Sequence, residues 1–168
     1  MMTTLLSAVL AVVGHAATRT PPTQALGEVF FGFDSSDVPT RASLQKPVAF
    51  AIAHPSARLV LDAHCDPIGT APYNVALSVR RAEAVRYAMI DMGVPAQQIV
   101  LAFYGEDGAP RVTYAEDRRV TVWESRQPVN DIIARTFASG GTGVTWGRPM
   151  TVAELAETPS RWVARRDQ

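Results

Sequence analysis

The sequence predicts an α/β fold, an α+β sandwich of order βαβαββ. One sheet carries helices on one of its faces, and a C-terminal extension follows. Three observations predict it. Short segments rich in β-branched and aromatic residues alternate with longer segments of helical periodicity. The last of the short segments, Arg119 to Glu124, alternates cleanly as R-V-T-V-W-E. Hydrophobic residues make up 47% of the chain and charged residues 19%, enough apolar side chains to fill a core.

Each element follows in order. Glu28 to Phe33 reads as a strand, and Asp34-Ser35-Ser36-Asp37 as turn and helix-entry chemistry. Thr40 to His54 reads as a helix on the spacing of Leu44, Val48, Ala51 and Ile52. Pro47 either kinks that helix or marks its true start. Arg58 to Ala63 is a second strand, and Asp66-Pro67-Ile68-Gly69 the loop leaving it. A long helix then runs from near Pro72 to about Met92. Its stripe includes Leu77, Val85, Ala88, Met89 and Met92, and Gly93 stops it. Ile99 to Tyr104 is the third strand and Arg119 to Glu124 the fourth, antiparallel or at an edge. Beyond it, Pro128 to Phe137 and Thr151 to Arg165 read as two short helices around the flexible run 139–143.

The organisation expected is a signal peptide over 1–17, a linker over 18–27, a domain over 28–125 and an extension over 126–168. Leu5 to Val13 is an apolar run shorter than the roughly 20 residues a membrane helix needs. Small residues follow at Gly14-His15-Ala16-Ala17, as at a leader cleavage site. Export is therefore expected, with no transmembrane segment in the mature chain. No cysteine lies near that site, so the reading is an exported protein that is not a lipoprotein.

Composition narrows the function. The 168 residues carry 16 basic and 16 acidic side chains, a net charge of +0, which argues against general nucleic-acid binding. The single cysteine, Cys65, rules out an internal disulfide and multi-cysteine zinc sites, and no metal or cofactor is expected. His64 and Cys65 are neighbours in an extended segment and point to opposite faces. They make a poor nucleophile–base pair, and no enzyme activity is expected.

The informative residues surround the second strand and the long helix. Asp66 lies in the loop leaving a strand, where ligands gather in α/β folds. Arg81 sits in the apolar stripe, four residues from both Leu77 and Val85, and there a guanidinium wants a partner. Spacing leaves three readings open: an Asp66–Arg81 ion pair that orients the loop, an Arg81 that snorkels past the stripe, or a joint ligand site.

An ordered set of motifs runs through these residues and beyond them. The N-x-x-L-S-x-x-R-A-x-x-V signature is matched by Asn74, Leu77, Ser78, Arg81, Ala82 and Val85. The upstream aspartate and glycine are Asp66 and Gly69. Phe31, Phe33, Asp34 and Ser35 match the F-x-F-D-S opening, and Asp117-Arg118-Arg119-Val120 the entry to the last strand. Further matches run from Gly93 to Ile99 and over Tyr104-Gly105-Glu106. In all of these the chain resembles the OmpA-like peptidoglycan-binding domain family of bacterial envelope proteins.

The resemblance implies non-catalytic binding of peptidoglycan through the meso-diaminopimelate of its stem peptide, in the periplasm, associated with the cell wall or outer membrane. It maps the ammonium-binding aspartate to Asp66 and the carboxylate-gripping arginine to Arg81, whose planar fork suits a bidentate grip. Asn74 either caps the long helix or adds an amide contact. Asp34 and Arg118 match positions around the pocket. Two departures bear on affinity: Cys65 stands where Thr or Ala is usual, and Pro67 has no N–H to offer. The alternative is an interaction scaffold in a secretion, conjugation or motility apparatus, with weak or lost wall binding. It would bind an envelope-complex protein through 126–168, with Trp146 and Trp162 as anchors.

Overall fold

The computed structural model describes residues 24–108, 111–151, 153–154 and 162–166, the last of these as backbone only. The leader-like run over 1–17 lies outside them. The strands are β1 (Ala25–Phe30), β2 (Arg58–His64), β3 (Ile99–Gly105), β4 (Arg119–Ser125), β5 (Gly143–Gly147) and β6 (Trp162–Arg166). The helices are α1 (Gln45–Ala53), α2 (Ala71–Asp91), α3 (Tyr114–Asp117) and α4 (Val129–Ala138). One sheet holds all six strands in the order β1-β4-β2-β3-β5-β6. β2 and β3 run parallel, joined through α2, and β4 is antiparallel to both β1 and β2.

The βαβαββ order stands, with α1 and α2 on one face. Pro47 falls in the first turn of α1, where its missing N–H costs nothing, so it marks the start rather than a kink. Ile52 is 61% exposed and leaves the stripe to Leu44, Val48 and Ala51. Gln98 Nε2 closes the far end of α1, donating to the carbonyls of Ala51, His54 and Ala57 at 3.0–3.2 Å. α2 starts on Thr70, whose hydroxyl accepts from Tyr73 N, and stops at Gly93 with φ 100°. There Val94 N donates to Met89 O and Gly93 N to Ile90 O, the paired bonds of a Schellman turn.

Alternation along β2 divides the interior. Leu59, Leu61 and Ala63 pack with α2 residues such as Val79, Val85 and Met89 in the main core. Val60 points to the other face and meets Val100, Val144 and Ile132. The extension completes this second core with Ile132 and Val144. β5 pairs antiparallel with β3, so the expected appendage continues the sheet, and α4 covers the face opposite α1 and α2. Trp146 packs against this core rather than standing out as an anchor.

The expected helix over Thr151 to Arg165 is corrected at its end: residues 153–154 are helical, 152 and 155–161 lie outside the described residues, and Trp162–Arg166 is a strand, parallel to β5. The short apolar spacing there suits either state, and pairing with the sheet decides it. β4 is interior, between β1 and β2, and not an edge. β1 begins at Ala25, inside the stretch expected as linker.

The extension also crosses the helical face. Glu83 and Arg86 of α2 are fully buried and 3.6 Å apart. Glu83 Oε1 accepts from Met150 N at 3.1 Å, and Arg86 donates to Gly147 O. Met150 itself lies in the main core.

Two predictions follow from this packing. Ile132→Ala empties the centre of the second core and should destabilise the protein by about 3 kcal/mol in urea denaturation. The second concerns Asp62 and His64, both buried on the α4 face of β2. Burial pushes the Asp62 carboxyl up to about 6 and the His64 imidazole down to about 4. The folded state holds the Asp62 proton better than the unfolded chain does, so that stabilisation is full below about pH 4 and lost as pH rises to 6. The buried neutral His64 does the reverse, losing stability as pH falls from 6.5 towards 4. The two slopes oppose each other in one window. Asp62→Asn should therefore make the melting temperature rise more steeply with pH between 4 and 6 than in wild type.

Candidate functional site

The site forms where the loops after β1 and β2 meet the first turns of α2. The loop after β2 is shaped by Asp66, whose Oδ1 accepts from Ile68 N at 3.2 Å across Pro67. Gly69, with φ 114°, completes the turn, and a side chain there would be strained. The loop after β1 turns at Asp34, the one non-glycine among the described residues with positive φ, at 52°. Asp34 accepts a hydrogen bond from the Tyr73 hydroxyl, which is pushed up in pKa by that bond.

Arg81 ties these loops together and is fully buried. Its Nε donates to Ser35 O at 2.9 Å and its Nη2 to Gly32 O at 3.2 Å, both in the loop after β1. Its Nη1 donates to His64 O at 3.1 Å and to Cys65 Sγ at 3.3 Å at the end of β2. The Phe31 ring lies beneath the guanidinium at 5.2 Å. Four of its five N–H groups are therefore committed, and the expected two-pronged grip is corrected to a single available N–H. Nor does Arg81 pair with Asp66.

Arg118 is the partner of Asp66. Its Nη1 lies 3.0 Å from Asp66 Oδ2, and its Nε donates to Phe31 O at 3.1 Å. α3 places it: a capping box between Thr113 and Glu116 sets that short helix, and Arg118 is its C-terminal cap. Three of its N–H groups remain uncommitted, and the side chain is 18% exposed.

Asp34, Asp66, Arg81 and Arg118 line one pocket of about 140 Å³, with Phe33, Ile68, Tyr73 and Leu77 as its apolar wall. That volume is below the roughly 300–1,000 Å³ of ordinary small-molecule sites and suits an end-group of a larger ligand. Two carboxylates and two guanidiniums face it, the complement of a zwitterion.

Cys65 and Asn74 stand behind the wall. The Cys65 thiol, held up near a pKa of 11 by burial, donates to Asn74 O at 3.2 Å. Asn74 neither caps α2, since Thr70 does, nor lines the pocket; its amide donates to Glu106 at 2.6 Å. Spacing alone does not reveal the Asp66–Arg118 contact. Its only sequence signal is the two adjacent arginines entering a strand, one to each face.

Comparison with known proteins places this architecture. The pattern of the OmpA family matches residues 30–121, more than half of the chain. The chain belongs to the OmpA family. Among relatives of this OmpA-family chain, the peptidoglycan-associated lipoprotein of Pasteurella multocida is 33% identical over 106 residues, covering 59% of this chain and 71% of that protein. That of Haemophilus influenzae is 32% identical, covering 59% and 69%. Among solved structures, the peptidoglycan-associated lipoprotein of Burkholderia pseudomallei superposes with a TM-score of 0.52 at 31% identity, over 59% of this chain and 90% of that one. The OmpA-like domain of FopA1 from Francisella tularensis shares the fold, with a TM-score of 0.52 at 19% identity, over 57% and 68%.

These relatives correct one expectation. They are named lipoproteins, so the reading of an exported protein that is not a lipoprotein does not stand. It rested on the absence of a cysteine beside a leader-like run, which lies outside both the described residues and the region that carries the relatedness.

The division of labour between the two arginines is testable. Arg81→Ala strips three buried carbonyls of a charged donor and should cost about 4 kcal/mol of stability. Arg118→Ala, at the part-exposed rim, should cost less than half of that by the same chemical denaturation.

Proposed function

We propose that this protein binds peptidoglycan without catalysis and thereby holds an envelope protein or complex to the wall. The pocket takes the zwitterionic end of meso-diaminopimelate in a stem peptide. The observation that carries this reading is the facing of Asp66 and Asp34 by Arg118 and Arg81 in a pocket the size of an end-group. The ligand carboxylate accepts from the uncommitted N–H groups of Arg118 and the last one of Arg81. The ammonium donates to Asp66 and Asp34. Because the opposite charges are fixed in place, the site reads the orientation of the end-group as well as its charge.

The names of the relatives support the wall as the partner. The apolar wall of Phe33, Ile68 and Leu77 suits the alkyl stem that carries the end-group.

Co-sedimentation with purified sacculi tests the reading. Wild type should pellet, and free meso-diaminopimelate should release it. Asp66→Ala and Arg118→Ala should each weaken pelleting roughly tenfold or more, about 1.4 kcal/mol. Wild type that stays in the supernatant would overturn the proposal.

A further inference from the structure

The two acids of the pocket are not equivalent. Asp66 is buried, and both of its oxygens are answered within the chain. Its Oδ1 accepts from Ile68 N at 3.2 Å, and its Oδ2 lies 3.0 Å from Arg118 Nη1. Asp34 is exposed where it lines the pocket, and it pairs with no cation among the described residues. One of its oxygens, Oδ1, accepts from the Tyr73 hydroxyl. The other, Oδ2, accepts from no donor among the described residues. Of the four carboxylate oxygens around the pocket, Asp34 Oδ2 is thus the one with both lone pairs open. A ligand ammonium needs acceptors and a counter-charge, and Asp34 offers both.

An exposed carboxylate on a loop serves a ligand only if something aims it. Arg81 fixes the backbone on either side, because it holds the carbonyls of Gly32 and Ser35. Asp34 itself sits at φ 52°, in the left-handed region that Asp tolerates but does not favour. The direction of its side chain is set by Tyr73, the one hydrogen-bond donor it has among the described residues.

Tyr73 can aim Asp34 because it is itself held from three directions. It is the third residue of α2, and its N–H donates to the Thr70 hydroxyl at the helix cap. Arg80, about two turns further along the helix, places its guanidinium 5.5 Å from the centre of the ring. A side chain at Gly69 would meet the ring at 3.6 Å, so the ring also lies against the loop after β2. From these supports the hydroxyl reaches the loop after β1. The side chain is 42% exposed, so the fold does not need this hydroxyl to satisfy a buried group.

We propose that Tyr73 is the positioning residue for the ammonium half of the site. Its hydroxyl holds one oxygen of Asp34 and leaves the other turned to the pocket, where it accepts from the ligand ammonium. This role rests on the wall-binding reading and divides its labour further. Asp34, aimed by Tyr73, takes the ammonium, while Asp66 chiefly holds Arg118 in place for the carboxylate.

The test titrates the full chain with free meso-diaminopimelate, and with pimelate, the same diacid without its ammonium groups, followed by ¹⁵N–¹H spectra. Each variant is first shown to melt cooperatively. Tyr73→Phe keeps the ring and removes the hydroxyl. It should weaken diaminopimelate binding at least about fivefold and leave the weaker binding of pimelate unchanged. Asp34→Asn, which suits the left-handed backbone, should weaken diaminopimelate at least as much. The double variant should bind no more weakly than Asp34→Asn alone, because Tyr73 acts through Asp34. Wild-type affinity for diaminopimelate in Tyr73→Phe, an equal loss for pimelate, or additive losses in the double variant would each overturn this role and leave the wall-binding reading standing. Wild type that fails to bind diaminopimelate would overturn both.

Discussion

The site depends on one buried guanidinium. Arg81 sits where the sequence gives α2 an apolar stripe, and the two loops flanking the pocket present their carbonyls to it. A buried cation without acceptors is costly, and backbone carbonyls without donors are costly too. Each cost is removed only when both loops adopt this arrangement. The loop after β1 is thereby fixed against the end of β2, and Asp34 and Asp66 come to face one pocket. Arg118 is then free to act at the rim, because the structural task falls to its neighbour in space.

Much of the fold was legible because local signals agreed with one another. The alternation of Arg119 to Glu124, the stop at Gly93 and the stripe of α2 each point to the element observed. The strand at Trp162–Arg166 was not legible, since its state is set by pairing with Gly143–Gly147 rather than by its own residues. At the site, spacing showed that Arg81 needed a partner but could not show which. Its acceptors are mostly main-chain oxygens, which every residue possesses, so they leave no trace in the residue types. The Asp66–Arg118 pair joins positions 52 apart in the chain, and only the completed sheet brings them together.

The C-terminal extension changes what kind of domain this is. Without α4, the face of β2 and β3 it covers would bare Val60 and Val100 to water, and without β5, β3 would be an open edge. The buried Glu83 and Arg86 show that α2 is fitted to this covering, because two charges in a helix face make sense only beneath the Gly147–Met150 segment that engages them. The zero net charge conceals this internal pairing: acids and bases are distributed over two faces and largely answer one another.

The interior place of β4 has a consequence for how the chain is made. β1 is synthesised first, yet its sheet partner β4 arrives only after two helices and two further strands have formed. The parallel unit of β2, α2 and β3 can assemble from nearer contacts, while β1 must wait to be joined by a strand inserted between it and β2. Closing that long loop carries its entropic cost before any pairing repays it. A chain still emerging from a ribosome therefore cannot join β1 to the rest of its sheet until Ser125 is through. It stays open for most of its synthesis, and β1 locks in only when β4 has arrived.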